Sequence, residues 1–281
     1  RCAMSAEQQV ILESNGSRLY GMTYDPAGAP AGAVVICHPL FEERKSAGRV
    51  MVELARVLCA DGLAVLTFDY RGCGDSAGEF RDYSTPDWIA DIRAAVDLMR
   101  QHAPACPTGL LGLRLGASLA LQVAAERSDI DFIMLWEPVL NGRDHIEQEL
   151  RKKLMKEMMT FGKGRQTRES LMKTLEQGGE VDFDGYPITS RLYQGLSQLD
   201  PAGAAGQFRK RSLVVNITSQ SSPSKPAAQL HEALQKAGSA SDLRLVNEPP
   251  FWNLIGVVSC PSLLRTTRDW LVRTGEPAKT C

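Results

Sequence analysis

An α/β fold, with a mostly parallel sheet of about eight strands and helices on both faces, follows from three features of the sequence. Short continuous apolar runs alternate with stretches of helical periodicity, as buried parallel strands and their crossovers require. Several of those runs end in glycine-containing turns. The chain has 281 residues and is 43% hydrophobic, enough to bury one large core.

The elements can be justified in order. Val10–Glu13 and Leu19–Tyr24 flank Asn15-Gly16, a hairpin signal. Ala33-Val34-Val35-Ile36-Cys37 reads as a strand buried on both faces, and the following helix shows Val50, Leu54, Val57 and Leu58 on one side before stopping at Asp61-Gly62. Ala64–Phe68 is the next strand. Thr85-Pro86 is expected to cap and open a helix striped by Trp88, Ile92, Val96 and Met99. Gly109–Leu111 is a strand, Leu115–Ala125 an alanine- and leucine-rich helix, and Phe132–Trp136 another strand.

The rhythm then breaks. Residues 138–208 are more polar, and Asp144 is expected to cap a helix carrying Ile146, Leu150, Leu154 and Met158. Polar, glycine-bearing segments follow at Gly162–Arg168 and Gly178-Gly179. This segment reads as an inserted helical lid whose methionines (Met155, Met158, Met159, Met172) cover the core. It divides the fold into 1–137, the 138–208 lid and 209–281. The pattern resumes with strand Leu213–Ile217, a helix near Pro226–Lys236, strand Leu243–Val246 and a last helix carrying Leu263, Leu264, Thr267, Trp270 and Leu271.

Composition excludes several classes. Thirty-two basic and 33 acidic residues are interspersed, which gives no electrostatic case for nucleic acid or an anionic membrane. No apolar run approaches the roughly 18 residues of a membrane span. No charged segment leads into a signal-type hydrophobic stretch, and Met4, behind Arg1–Ala3, looks like a natural start. The 7 cysteines form no CxxC or Cys/His cluster, so no metal, cofactor or disulfide framework is expected, and thiols in a cytoplasmic protein are the simplest reading.

The chemistry-bearing segment is Gly109-Leu110-Leu111-Gly112-Leu113-Arg114-Leu115-Gly116-Ala117. A strand enters a tight turn between Gly112 and Gly116, and a helix begins at once. This is the layout of the G-x-S-x-G nucleophile elbow, with Arg114 in the nucleophile's place. Two more turns agree with it. Cys37-His38-Pro39-Leu40-Phe41 follows a buried strand where the elbow enzymes place an oxyanion loop. Asp69-Tyr70-Arg71-Gly72-Cys73-Gly74-Asp75-Ser76 matches a D-x-R-G-x-G-x-S turn after the next strand. Three such turns in order indicate an α/β-hydrolase fold.

Within that superfamily, three strings resemble one bacterial family: His38-Pro39-Leu40-Phe41-Glu42-Glu43-Arg44-Lys45-Ser46, the Gly112–Ala117 elbow, and Leu135-Trp136-Glu137-Pro138-Val139. It is the second of two hydrolase-like families associated with the exosortase A system. The resemblance runs from Leu19 to Trp252 and is weakest in the lid. It implies a setting around extracellular polysaccharide and protein sorting.

A serine hydrolase also needs a histidine and an orienting acid. The acid is expected after Ile217, where Thr218-Ser219-Gln220-Ser221-Ser222 holds no carboxylate. The histidine is expected after Val246, where Asn247-Glu248-Pro249-Pro250-Phe251-Trp252-Asn253 holds none. His102 and His231 fall on surface helices and His145 early in the lid, which leaves His38 at the proper end of the sheet. Arginine cannot act as the nucleophile, because its guanidinium stays protonated. Arg114 adds a charge to the positive end of the helix opening at Leu115, and such a place calls for an anion.

Two sources of that anion stay open: an internal carboxylate, with Glu137 as a bidentate partner, or a bound anionic small molecule or sugar. Glu42, Glu43, Arg44 and Lys45 read either as a solvated charged loop or as an internal network with Arg114 or Arg71. Ser118 and Cys73 read as structural, and Trp252 as filling the pocket or stacking on a sugar ring or on the guanidinium. The residues expected around the site are His38, Leu40, Phe41, Glu43, Arg114, Leu115, Glu137 and Trp252. The expected function is a non-catalytic or divergent accessory role linked to exopolysaccharide systems, with a protein partner on the lid as a further option. The enzymatic alternative is an esterase, thioesterase or acyl-transfer enzyme using other residues near the elbow.

Overall fold

The computed structural model describes residues 6–161 and 166–273; Met4 and most of the Gly162–Arg168 stretch lie outside them. The chain opens with β1 (Ala6–Ser14) and β2 (Ser17–Asp25), an antiparallel hairpin turning at Asn15-Gly16. Then come β3 (Gly32–Cys37), α1 (Glu42–Ala60), β4 (Leu63–Phe68), α2 (Thr85–His102), β5 (Thr108–Leu113), α3 (Leu115–Glu126) and β6 (Phe132–Trp136). Between the sixth strand and the rest lie α4 (Gly142–Phe161), α5 (Arg168–Glu176), β7 (Glu180–Phe183), β8 (Tyr186–Thr189), α6 (Ser190–Ser197) and α7 (Pro201–Ala205). The core closes with β9 (Arg211–Ile217), α8 (Lys225–Lys236), β10 (Ser241–Val246) and α9 (Pro261–Arg273).

Eight strands form one sheet in the order β1-β2-β4-β3-β5-β6-β9-β10, parallel from β4 onward, with the first hairpin antiparallel. Every residue of β3, β5 and β6 is buried, which explains why these strands read as unbroken apolar runs rather than alternating ones. One face packs on α1 and α9 through Val50, Met51, Leu54, Leu263 and Trp270. The other packs on α2, α3 and α8 through residues such as Trp88, Ile92, Leu119 and Leu230. Each fully buried side chain of this size contributes about 1.5–3 kcal/mol of transfer free energy.

Local structure departs from expectation at a few points. The α2 cap is Ser84 rather than Thr85: Ser84 and Asp87 form a capping box, the Asp87 carboxylate accepting from the Ser84 amide at 2.9 Å. At α4, Asn141 rather than Asp144 caps, its Oδ1 accepting from the Asp144 amide at 3.1 Å. The α4 stripe holds for Ile146 and Leu150, which are buried, and fails at Met158, which is 60% exposed. Met155 and Met159 are exposed too, so of the four methionines only Met172 covers core. The segment between β6 and β9 also contains a β7–β8 hairpin, turning at Asp184-Gly185, where helices alone were expected. Among the described residues, no helix is long and apolar enough to cross a membrane.

Candidate functional site at the elbow

The elbow is built by close backbone approach. A Cβ on Gly112 would come within 2.4 Å of the Ala117 backbone, and one on Gly116 within 2.2 Å of the His38 carbonyl oxygen. Both positions therefore admit only glycine, and with them the turn can fold tightly against the β3 loop. Arg114 occupies its tip with φ 54° and ψ −121°, a left-handed conformation costly for a residue with a Cβ. Its backbone is pinned by the sheet ladder, the amide donating to the Trp136 carbonyl at 2.9 Å. Glu137, one strand over, also has positive φ (44°), and its amide donates to the Val215 carbonyl at 3.0 Å.

The guanidinium does not face solvent freely. Nε donates to Glu43 Oε1 at 3.1 Å, and Nη1 to the Glu137 carbonyl at 3.4 Å. The Trp252 ring covers it at 5.4 Å. The bidentate Arg114–Glu137 pair expected from sequence does not form. The Glu137 carboxylate instead accepts from Asn216 Nδ2 and the Ile217 amide, both at 2.5 Å, so it caps the end of β9. Glu43 reaches the arginine because α1 starts at Glu42, directly after a positive-φ turn at Phe41 (57°), which aims the first helical turn across the elbow.

The other expected residues divide between two places. Arg114 and Glu137 line a cavity of about 230 Å³, together with Asn141, Asp144, His145, Gln148 and Ser224. Leu40 and Phe41 line a separate cavity of about 100 Å³ with Arg44, Asp69, Cys73 and Tyr186. His38 is buried under the elbow with Nδ1 lacking a hydrogen-bond partner. Leu115 is fully buried at the head of α3, and Ser118 donates to the Val139 carbonyl at 2.5 Å, a packing role.

The aspartate–arginine turn is architectural. Asp69 holds Arg44 at 2.6 Å and accepts from the Asp75 amide, while Arg71 donates to buried Asp91 and to Ser14. Cys73 in that turn is pushed up to about 12 by burial, with Asp69 adding to the effect, which keeps its sulfur a thiol.

His145, early in α4 as expected, is the residue that sequence reasoning left out of the site. It is buried, lines the Arg114 cavity, and neither ring nitrogen has a hydrogen-bond partner. Burial, then the nearby Arg114 and Lys152 charges, depress it to about 3, so it is neutral at ordinary pH. Glu43 moves the opposite way: burial raises its carboxyl, and Arg114 offsets part of that rise. Its second oxygen, Oε2, is buried without a partner. The signal that could have found His145 is its spacing from Glu149, which puts both on one face of a helix that begins just past β6. His102 and His231 pair with Asp25 and Ser241 at the far end of the sheet.

The comparisons bear on the fold and the family. The family described as serine aminopeptidase, S33 (Hydrolase_4) matches residues 28–181. Human monoglyceride lipase is 32% identical over 120 residues, covering 42% of this chain and 38% of the lipase. An uncharacterised Rickettsia prowazekii protein is 32% identical over 114 residues, 40% of this chain and 47% of its own length. The match thus spans less than half the length of these curated relatives. Est1E from Butyrivibrio proteoclasticus, solved with ferulic acid, superposes with a TM-score of 0.69 at 15% identity, over 94% of this chain and 98% of Est1E. The Pyrococcus furiosus esterase Pf2001 gives 0.65 at 17% identity, over 96% and 90%. At these identities the structural likeness speaks for the fold, and the α/β-hydrolase fold it shows extends over nearly the whole chain. Sequence carries the rest, and by it the chain belongs to the serine aminopeptidase S33 family.

Proposed function

We propose that this chain is a family member whose elbow serves as an ion-paired anchor and not as a nucleophile, and that it works as a binding or accessory protein. The observation that carries the reading is the Arg114 Nε–Glu43 Oε1 pair at 3.1 Å, with the two side chains only 16% and 4% exposed. A guanidinium held there cannot attack a carbonyl. The loop after β10 offers Trp252 where a histidine would be needed. Residues 138–208 act as a lid over the cavity, which receives a small anionic molecule or a sugar beside Arg114. The resemblance to the exosortase-associated family supports a role around exopolysaccharide production, and the scattered cysteines support a cytoplasmic one.

A second reading has one observation in its favour. His145, neutral and unpartnered, faces the cavity beside a buried carboxylate and could serve as a general base in a divergent esterase or acyl-transfer enzyme. Assay with p-nitrophenyl esters and labelling with a fluorophosphonate decide between the two. The binding reading expects neither turnover nor label. Turnover that disappears in His145→Ala would overturn it in favour of the enzyme.

A further inference from the structure

Glu43, His145 and Glu149 each bring one potential ligand atom to within 4.8 Å of the others. They come from two elements: the first turn of α1, and positions four apart on one face of α4. Two of the three are buried and under-satisfied. Glu43 Oε2 has no hydrogen-bond partner, and neither ring nitrogen of His145 has one. A buried carboxylate oxygen and an imidazole lone pair left without donors are costly unless something supplies the missing contact.

The geometry points to a site for a divalent transition-metal ion of the zinc class, held by Glu43, His145 and Glu149 beside the Arg114 cavity. Mixed nitrogen and carboxylate donors suit such an ion better than calcium or magnesium, which favour oxygen alone. Ligand atoms about 2.0–2.2 Å from zinc stand roughly 3.3 Å apart in a tetrahedron, so modest side-chain rotations bring the three onto one ion. The neighbouring cations hold the outer oxygens: Arg114 takes Glu43 Oε1 at 3.1 Å and Lys152 takes Glu149 Oε1 at 2.6 Å. They balance the two carboxylates and leave Glu43 Oε2 open. A bound ion would then carry surplus positive charge, which calls for hydroxide or another anion in the fourth position, on the cavity side.

This inference does not depend on the proposed function, since a metal could stabilise a binding protein or activate water in an enzyme. The test uses the full chain stripped with a chelator and titrated calorimetrically with Zn²⁺, with Co²⁺ absorption reporting coordination. One equivalent should bind and raise the melting temperature. Glu149→Gln and His145→Ala should each weaken it at least tenfold, while His102→Ala on the surface leaves it unchanged. Circular dichroism establishes that each variant is folded, and Glu149→Gln, on a half-covered helix face, suffices if His145→Ala is not. The proposal fails if wild type shows no saturable binding, or if affinity survives in the folded Glu149 variant. Ester assays with and without chelator address the functional reading separately.

Discussion

The Trp252 indole lies over the Arg114 guanidinium at 5.4 Å, so the loop after β10 closes on the tip of the elbow after β5. The contact is worth about 0.5–2 kcal/mol depending on how far it is desolvated. It also fixes which direction the arginine takes. With the ring on one side and Glu43 on another, the guanidinium lies across the elbow rather than out of it. Lys152 ties the same loop to α4 by donating to Asn253 Oδ1 at 3.2 Å, so α4 and the loop after β10 are joined beside the site.

The first prediction concerns what Glu43 does when its partner is removed. Arg114→Ala leaves a buried carboxylate without a compensating charge, and a charge-assisted hydrogen bond is lost. The cost should be about 2–3 kcal/mol by urea unfolding near pH 8. Burial already raises the Glu43 carboxyl and Arg114 pulls it back, so the variant raises it further. A group raised in the folded state contributes stability at low pH that is lost as pH rises through its folded value. The penalty should therefore shrink near pH 5. Glu43→Gln added to Arg114→Ala should recover most of the loss at the higher pH. An equal penalty at both pH values would mean that the pair is not what holds the elbow.

The second prediction tests the elbow's backbone. Gly116→Ala drives a Cβ to 2.2 Å from the His38 carbonyl oxygen, a backbone atom that cannot turn aside. The loop after β3 must move, and Gly116→Ala should cost about 1–3 kcal/mol or more. Gly28→Ala, where a Cβ meets nothing within 4 Å, is the control and should stay close to wild type in melting temperature. Equal stability of the two variants would show that β3 and β5 do not approach as described.

Much of this was legible in the sequence for a physical reason. Strands buried on both faces announce themselves as apolar runs, and the elbow's two glycines are dictated by contacts that no other residue allows. The site's partners were less legible. Glu137 and Glu43 are both acidic residues near strand ends, and spacing alone does not say that Glu137 will cap Asn216 and Ile217 while Glu43 turns inward. His145 sits on a helix rich in charge, where nothing in the sequence marks it as buried. Its burial depends on tertiary contact with Phe41, whose ring lies 6.1 Å away, and on the cavity wall. The exposed Met155, Met158 and Met159 failed for the same reason: helical periodicity says which side is apolar, not whether anything lies against it.

The third prediction follows from the two buried histidines. His145 is held down to about 3, by burial first and then by Arg114 and Lys152; Glu43 and Glu149 are the carboxylates facing it. His38 is lowered by burial and by Arg44. A histidine kept neutral in the fold contributes stability that is intact above its unfolded value near 6.5. That stability is lost as pH falls below it, because the unfolded chain takes up the proton and the folded one does not. Each such histidine removes about 2 kcal/mol by pH 5. Glu43 works against this trend, since a raised carboxyl binds its proton in the fold first. Urea unfolding of chelator-treated protein between about pH 7 and pH 5 should therefore show falling stability, and His145→Gln should flatten that slope by roughly one histidine's share. A His145→Gln profile parallel to wild type would place the ring in contact with water or a proton donor, and the description of a dry, neutral His145 would have to be abandoned.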